Sequence, residues 1–256
     1  MKPNMKSKLL ISTIDDNAPA LAREFGVGLE IADFCWAQKL DHDFEDNLDR
    51  VKTKMRGVGR FWFHAPFAEL APCAIDPRAR ELTRERYMQA VRTAKKLGIS
   101  DVVIHSGFIP HVYFPEYFVN ESISFWKNFI EDTDPGVRIA IENVMEPGPE
   151  MLVKIVDSVG SERLGLCLDV GHANCSVSST APIEWLRAMK GRLFHLHLHN
   201  NTGGEDIHAP LGSGIVPMED LLDEALTVSP NASFTIENMD SRPSLEWMAE
   251  KGFIET

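Results

Sequence analysis

Short apolar runs alternate with longer amphipathic stretches along the whole chain. Nearly continuous apolar runs are typical of parallel strands that are covered on both faces, whereas apolar residues three or four positions apart indicate helices. The pattern predicts strands over residues 8–13, 27–32, 60–65, 102–106, 138–143, 164–170, 193–199 and 233–237. It predicts helices over residues 17–25, 42–56, 77–97, 119–131, 149–158, 182–190, 217–227 and 243–251.

Local start and stop signals support these elements. A proline near a capping side chain marks the start of two helices, at Asp76-Pro77 and at Ser241-Arg242-Pro243. Glycines stand where several helices should end. The 256 residues contain no linker-like tract, so we expect a single domain over residues 1–256. Eight strands alternating with eight helices predict an α/β fold, a closed (β/α)8 TIM barrel, in preference to an open doubly wound sheet.

Six of the predicted strands finish on a side chain that can bind a metal ion. In a parallel barrel the carboxyl ends of all strands surround one site, so these side chains should converge there. An open sheet would keep the ends of its edge strands far apart. The strand-end residues are His64, His105, Glu142, Asp169 and Glu237, together with His195, His197 and His199 on the seventh strand.

Strand alternation places Glu142, Asp169 and Glu237 on inward faces. Carboxylates that gather in a barrel mouth repel one another unless protons or cations neutralise them. No lysine or arginine ends another predicted strand, and imidazoles stand among the carboxylates, so we expect a divalent metal. An ion pair is the alternative for the carboxylates, and a structural hydrogen bond is the alternative for His64 or His105 taken alone.

The seventh strand offers three histidines on one face, because side chains alternate along a strand. Depth then distinguishes them. His195 should fill the barrel core, His197 should reach the site, and His199 should contact substrate. Aromatic residues that follow strand ends would either wall a substrate pocket or pack in the core, namely Trp36, Phe67 and Phe108.

Two short motifs add further candidate ligands. Asp169-Val170-Gly171-His172 places His172 just beyond a strand-end carboxylate, and Asp206-Ile207-His208 lies in a glycine-bounded loop. Each motif is weak on its own. Together with the strand ends they give nine candidate metal ligands: His64, His105, Glu142, Asp169, His172, His197, Asp206, His208 and Glu237.

Composition narrows the classes of partner. The formal charge of −12, from 26 basic and 38 acidic side chains, disfavours binding to nucleic acid or to an anionic membrane. No apolar run approaches the ~18 residues of a transmembrane helix. The four cysteines lack CxxC spacing, so we expect reduced thiols and a cytoplasmic protein.

The motifs resemble those of the xylose-isomerase-like TIM-barrel superfamily, which joins sugar and sugar-phosphate isomerases and epimerases to endonuclease IV. The resemblance extends from about Leu9 to Glu237 and is more specific for the superfamily than for one reaction. The motifs that carry it are His64-Ala65-Pro66, His105-Ser106-Gly107, Ile141-Glu142-Asn143, Asp169-Val170-Gly171-His172, His197-Leu198-His199-Asn200, Asp206-Ile207-His208-Ala209-Pro210-Leu211-Gly212 and Ile236-Glu237-Asn238.

Resemblance to the epimerases implies one divalent ion (Mn, Mg, Co or Zn) held by Glu142, Asp169, His197 and Glu237. Glu142 and Glu237 would also move a proton between adjacent carbons of a sugar or sugar phosphate, through an enediolate. Two bases on opposite faces would permit epimerisation, and one base on one face would permit isomerisation. A homodimer would be in keeping with such barrels. The implied substrate-binding residues are His64, His105, His172, His199, Trp36 and Phe108.

Resemblance to endonuclease IV implies two or three zinc ions on the full set of nine residues. Glu142 would bridge two ions, and His172, Asp206 and His208 would hold a third. Such a cluster activates water for phosphodiester cleavage.

Two segments depart from the nuclease pattern. Phe67-Ala68-Glu69 stands where the nuclease has an aromatic–leucine wedge, and Phe34-Cys35-Trp36-Ala37 lacks its arginine-containing signature. We therefore expect a metal-dependent isomerase or epimerase without a nucleic-acid partner. The alternatives are a zinc phosphodiesterase, a related dehydratase and a non-catalytic sugar-binding barrel.

Overall fold

Eight parallel strands close into a barrel in which each strand pairs with its neighbours in chain order and β8 pairs with β1. The computed structural model describes residues 4–255, so the first three residues and the last residue of the predicted domain lie outside the described part. The predicted TIM-barrel fold is confirmed. The strands are β1 Leu9–Ser12, β2 Gly28–Ile31, β3 Phe61–His64, β4 Asp101–His105, β5 Arg138–Glu142, β6 Leu164–Asp169, β7 Leu193–Leu198 and β8 Ser233–Ile236.

Helices surround the barrel. They are α1 Ala18–Phe25, α2 Gln38–Asp41, α3 Phe44–Met55, α4 Pro77–Lys96, α5 Pro115–Asp132, α6 Glu150–Val159, α7 Pro182–Ala188, α8 Met218–Val228 and α9 Arg242–Glu250, with a 3-10 turn at His172–Asn174. Within residues 4–255, no helix has both the length and the apolar character needed to cross a membrane.

Most helix boundaries lie within two residues of the prediction, and the two clearest differences have local reasons. The helix predicted over 119–131 begins at Pro115, because extended Phe114 precedes a proline that suits the first helical turn. The helix predicted over 42–56 is preceded by the separate short helix α2. Asp43 separates the two helices, since its φ of 50° is left-handed and cannot continue a right-handed helix.

The barrel interior changes from apolar to polar along its axis. A small cluster of inward-facing apolar side chains lies inside the barrel, formed by Leu10, Trp62, Val103, Ala140 and Cys167. Because strand side chains alternate, the next inward position on β4, β5 and β6 belongs to a predicted ligand. The apolar cluster therefore supports a layer of imidazoles and carboxylates at the carboxyl ends of the strands.

Candidate metal centre

Strand register brings the predicted ligands side by side. His105 on β4 pairs with Glu142 on β5, and Asp169 on β6 pairs with His197 on β7. Glu237 follows β8 directly, so it stands at the same end of the barrel. The parallel arrangement thus converts positions that are far apart in the sequence into neighbours.

Glu142 lies at the centre of the first group of side chains. Its Oε2 is 3.3 Å from Nε2 of His64 and 3.3 Å from Nε2 of His105. This oxygen is buried and has no hydrogen-bond partner. Two imidazole nitrogens around one unsatisfied carboxylate oxygen are a donor set suited to a divalent transition metal.

His197 lies at the centre of the second group. Its Nδ1 is 3.3 Å from Glu142 Oε1, 3.5 Å from Glu237 Oε2 and 3.8 Å from Asp169 Oδ2. All four side chains are buried, and the most exposed of them, Glu237, is 7% exposed. The three carboxylates that the resemblance to epimerases selected therefore surround one nitrogen of His197.

Asp206 links the third group. Its Oδ2 is 3.2 Å from Nε2 of His172 and 3.0 Å from Nε2 of His208. His199 lies beside this group, because its ring stacks on that of His208 with centroids 3.9 Å apart. Nε2 of His199 is 3.0 Å from both carboxylate oxygens of Asp169. His199 is completely buried, and its predicted contact with substrate stays a prediction.

Three of the histidines use Nδ1 to hydrogen-bond a backbone carbonyl. A carbonyl oxygen can only accept, so Nδ1 carries a proton, and in the neutral imidazole Nε2 then keeps its lone pair. In each case that Nε2 faces a carboxylate, and this arrangement is usual for histidines that bind metal. The bonds join His64 to Ala65 (2.9 Å), His172 to Asn143 (2.8 Å) and His208 to Glu237 (2.8 Å).

Two asparagines explain why an Asn follows each strand-end glutamate. Asn143 donates to the carbonyl of Asp169 (3.0 Å) and accepts from its N–H (2.8 Å). Asn238 donates to the carbonyls of His208 (2.9 Å) and Ala209 (3.0 Å). These side chains fix the backbone that carries the neighbouring candidate ligands.

Packing against His199 explains why the Asp169-Val170-Gly171-His172 motif has a glycine at position 171. A Cβ at this position would lie 1.9 Å from Cε1 of His199. The backbone there has a φ of −71°, which any residue can adopt, so the constraint is steric. The motif needs glycine because the His199 ring packs directly on the chain.

Burial and neighbouring charges shift the pKa values of the clustered side chains in different directions. Burial opposes the charge of Glu142, but the His105 and His197 imidazoles hold its pKa well below the ordinary value. Burial raises the pKa of Glu237. Burial also lowers the pKa of His105 to about 3, against the opposing effect of the Glu142 carboxylate. Within residues 4–255, the ion pairs of these carboxylates involve histidines and not lysine or arginine.

A cavity of about 760 Å³ opens above the ligands. The predicted pocket residues Trp36 and Phe108 line it, and Phe67 stacks on His105 with ring centroids 4.4 Å apart. Trp36 is 69% exposed at the rim. No lysine or arginine is found among the described residues that line the cavity. Imidazoles and carboxylates form the floor of the cavity, and aromatic side chains form part of its walls.

One buried carboxylate, Glu30, is missing from the predicted set. It lies within β2, completely buried, and its Oε2 accepts a hydrogen bond of 2.7 Å from Thr235 Oγ1. The same oxygen is 3.0 Å from Nε2 of His195. As predicted for its depth, His195 is completely buried, and it stacks on Trp62 at 4.1 Å. The available signal was a single charged residue inside the apolar run 27–32.

Fold and site together define a class: a TIM barrel whose strand ends gather a buried cluster of imidazoles and carboxylates. A family model described as Xylose isomerase-like TIM barrel matches residues 19–252. The chain belongs to this family, and the resemblance inferred from the sequence is confirmed.

The curated relatives carry two kinds of name. "Uncharacterized protein MJ1311" of Methanocaldococcus jannaschii is 30% identical over 192 residues, which cover 72% of this chain and 66% of that protein. "Probable endonuclease 4" of Mycobacterium leprae is 23% identical over 169 residues, which cover 62% of this chain and 65% of that protein. The chain spans slightly less than two thirds of the length of these relatives.

Solved structures match over nearly the whole chain. The TTHB071 protein from Thermus thermophilus, soaked with ZnCl2, is 26% identical with a TM-score of 0.76, covering 97% of this chain and 98% of that one. A D-tagatose 3-epimerase-like protein is 24% identical with a TM-score of 0.78, covering 95% and 96%. The second likeness, below 25% identity, supports the fold alone.

Proposed function

We propose that this protein is a divalent-metal-dependent isomerase or epimerase that moves a proton between adjacent carbons of a sugar. One observation carries the proposal: Nδ1 of His197 stands within 3.3–3.8 Å of carboxylate oxygens from Glu142, Asp169 and Glu237. Carboxylates and imidazole are ligand types that a divalent ion accepts, and an ion bound among these strand ends would neutralise the gathered negative charge.

Glu142 and Glu237 are the proposed acid and base. Both line the cavity, and they come from β5 and from the end of β8, so substrate bound between them meets a carboxylate on two sides. A bound divalent ion would polarise the carbonyl and hydroxyl oxygens and lower the barrier to enediolate formation by several kcal/mol. One carboxylate removes the proton beside the carbonyl, and the second or the same carboxylate returns it.

The cavity favours a neutral sugar over a sugar phosphate. Phosphate recognition usually uses arginine or lysine side chains, and neither is found among the described residues that line the cavity. Its walls include Trp36, Phe67 and Phe108, which offer apolar faces to the carbon skeleton. Candidate hydrogen-bonding groups for substrate hydroxyls are His64, His105 and His172 near the floor.

Proton exchange with solvent tests the reaction without knowledge of the natural sugar. The metal-loaded protein is incubated with a panel of ketoses and aldoses in D2O, and NMR follows deuterium entry at carbon. Glu237→Gln should abolish exchange while leaving the circular dichroism spectrum unchanged. Asp240→Asn, an exposed acid three residues further along the same loop, should exchange at the wild-type rate. Full exchange in Glu237→Gln would remove Glu237 from the mechanism.

A zinc phosphodiesterase is the second candidate, and the geometry of Asp206 supports it. Asp206 Oδ2 faces Nε2 of both His172 and His208, as expected if these three residues held a third ion. Relatives named "Probable endonuclease 4" support the same candidate. The absence of a nucleic-acid partner accordingly stays a prediction.

Metal content and substrate choice separate the two candidates. About three zinc ions per chain, with cleavage of an abasic oligonucleotide that is lost in Asp206→Asn, would favour the phosphodiesterase. About one ion per chain with sugar proton exchange would favour the isomerase. Binding of sugars without exchange or cleavage would favour a non-catalytic barrel, and loss of water from the sugar would favour a dehydratase.

A further inference from the structure

The buried carboxylate of Glu30 faces His197 from the interior of the barrel. Glu30 holds one of its oxygens, Oε2, in contact with Thr235 Oγ1 (2.7 Å) and His195 Nε2 (3.0 Å). Its other oxygen, Oε1, has no hydrogen-bond partner and lies 3.0 Å from Nε2 of His197. The carboxylate is thus anchored by one oxygen and presents the other to His197.

His197 differs from the histidines that hydrogen-bond backbone carbonyls. Its Nδ1 faces Glu142 (3.3 Å) and Glu237 (3.5 Å), while its Nε2 faces Glu30. Neither ring nitrogen has a hydrogen bond to another group. A neutral imidazole carries one proton and one lone pair. A lone pair on Nδ1 therefore requires the proton on Nε2, where the Glu30 carboxylate is the group placed to accept it.

The anchoring of Glu30 is rigid. His195, which approaches Oε2, stacks on Trp62 with ring centroids 4.1 Å apart. Its Nδ1 lies 2.7 Å from Ser233 Oγ. Glu30, His195 and Thr235 are all completely buried, so their side chains are enclosed by packed neighbours. Oε1 is consequently held in a fixed direction, towards His197.

We propose that Glu30 is a positioning residue for the metal centre. It holds the Nε2 proton of His197 and so directs the Nδ1 lone pair to the ion that Glu142 and Glu237 also bind. Carboxylates that accept from a ligating histidine fix its tautomer and raise its basicity, and their loss typically weakens metal binding about 10–100-fold. The inference rests on the metal position of the proposed function but not on its reaction.

Zinc affinity of the purified full chain tests the inference without any turnover assay. Glu30→Leu removes the acceptor, and competition with a chromophoric chelator should show about 10–100-fold weaker zinc binding. Glu30→Gln keeps an acceptor oxygen and should retain part of the affinity, with a loss of about threefold or more. Glu146→Gln is the matched control, since Glu146 is also a buried glutamate but hydrogen-bonds Val144 N–H (2.8 Å). Its zinc affinity should stay within about threefold of wild type.

Two further measurements separate positioning from packing. Histidine 15N NMR of the zinc-loaded protein should show His197 protonated at Nε2 in wild type and a changed pattern in Glu30→Leu. Urea unfolding with chelator present should show Glu30→Leu less stable than wild type, because Thr235 and His195 lose their buried partner, whereas Glu30→Gln keeps an oxygen for them and should lose much less. A packing role predicts that the zinc affinities of the two variants follow their metal-free stabilities, whereas a positioning role predicts weaker zinc binding in Glu30→Gln even where its stability is kept.

Three outcomes would overturn the proposal. The first is zinc affinity of Glu30→Leu within about threefold of wild type; if that variant does not fold, unchanged affinity of Glu30→Gln has the same meaning. The second is a proton on Nδ1 of His197. The third is an ion bound directly to Glu30 in zinc-soaked crystals, through the alternative group of Glu30, His64, His197 and Glu237, whose ligand atoms lie within 4.8 Å of one another.

Discussion

Replacing Gly171 by alanine should destabilise the protein through a single steric contact. The added Cβ would lie 1.9 Å from Cε1 and 2.3 Å from Nδ1 of His199, so the ring would have to move by about 1.5 Å to reach normal contact distance. The ring has little room, since it hydrogen-bonds Asp169 (3.0 Å) and stacks on His208 (3.9 Å).

The size of the effect follows from opposing contributions. Overpacking costs about 1–3 kcal/mol, and weakening the buried contact with Asp169 costs about 1–3 kcal/mol more. The backbone of Gly171, at φ −71° and ψ −44°, accepts alanine, which restricts the unfolded chain and returns about 0.4–1 kcal/mol. We therefore expect a net loss of about 2–4 kcal/mol, which corresponds to a Tm about 5–15 °C lower.

Urea and thermal unfolding of the metal-free protein measure this loss, and a double-mutant cycle identifies its cause. His199→Ala removes the obstructing ring, so Gly171→Ala should cost much less in that background than in wild type. Gly59→Ala is the control, because nothing lies within 4 Å of the added Cβ and the backbone there is not left-handed. Wild-type stability of Gly171→Ala, or equal costs in the two backgrounds, would refute the reasoning.

Three further predictions concern the centre and the surface. Asn143→Ala should lower the free energy of unfolding by about 1–3 kcal/mol in a urea titration, because two hydrogen bonds to Asp169 are lost. Zinc at about 100 times its Kd should stabilise the chain by about 2.7 kcal/mol, so a chelator should lower the Tm by about 5–10 °C; an unchanged Tm would contradict metal binding. Hydrogen bonding to Arg86 lowers the pKa of Asp41 from 3.8 to about 2. The stability that this pair contributes is therefore present above about pH 4 and lost as the pH falls from about 4 to 2. The contribution is below about 1 kcal/mol because the pair is partly exposed. Asp41→Asn should remove this pH dependence of the unfolding free energy.

The fold could be predicted because its signals are local and repeated. Every strand was found to within about a residue at each end, since a buried parallel strand is a short apolar run. The missed boundaries depend on single residues. Phe114 and Pro115 moved the start of α5, and the left-handed backbone of Asp43 separated α2 from α3.

Convergence of the six predicted ligands at strand ends follows from the parallel topology, which brings the carboxyl ends of all strands together; His172, Asp206 and His208 reach the same cluster from loops. The order of the contacts within the cluster does not follow from topology. Which ring nitrogen of His197 faces Glu142 depends on side-chain rotation, and the sequence contains no periodic signal for it. Glu30 was missed because it lies inside its strand, at a position where the pattern predicts packing.

The candidate ligands and the cavity walls come from different parts of the fold. Ligands stand at strand ends or on backbone that asparagine side chains secure, whereas the walls come from connecting loops, including Trp36, Phe67, Ile109, Met145 and Met239. Loops tolerate sequence change far better than the barrel that they join. Evolution can therefore reshape the pocket through these loops while the framework of the proposed ion site is inherited unchanged, and engineering of new specificity should begin there.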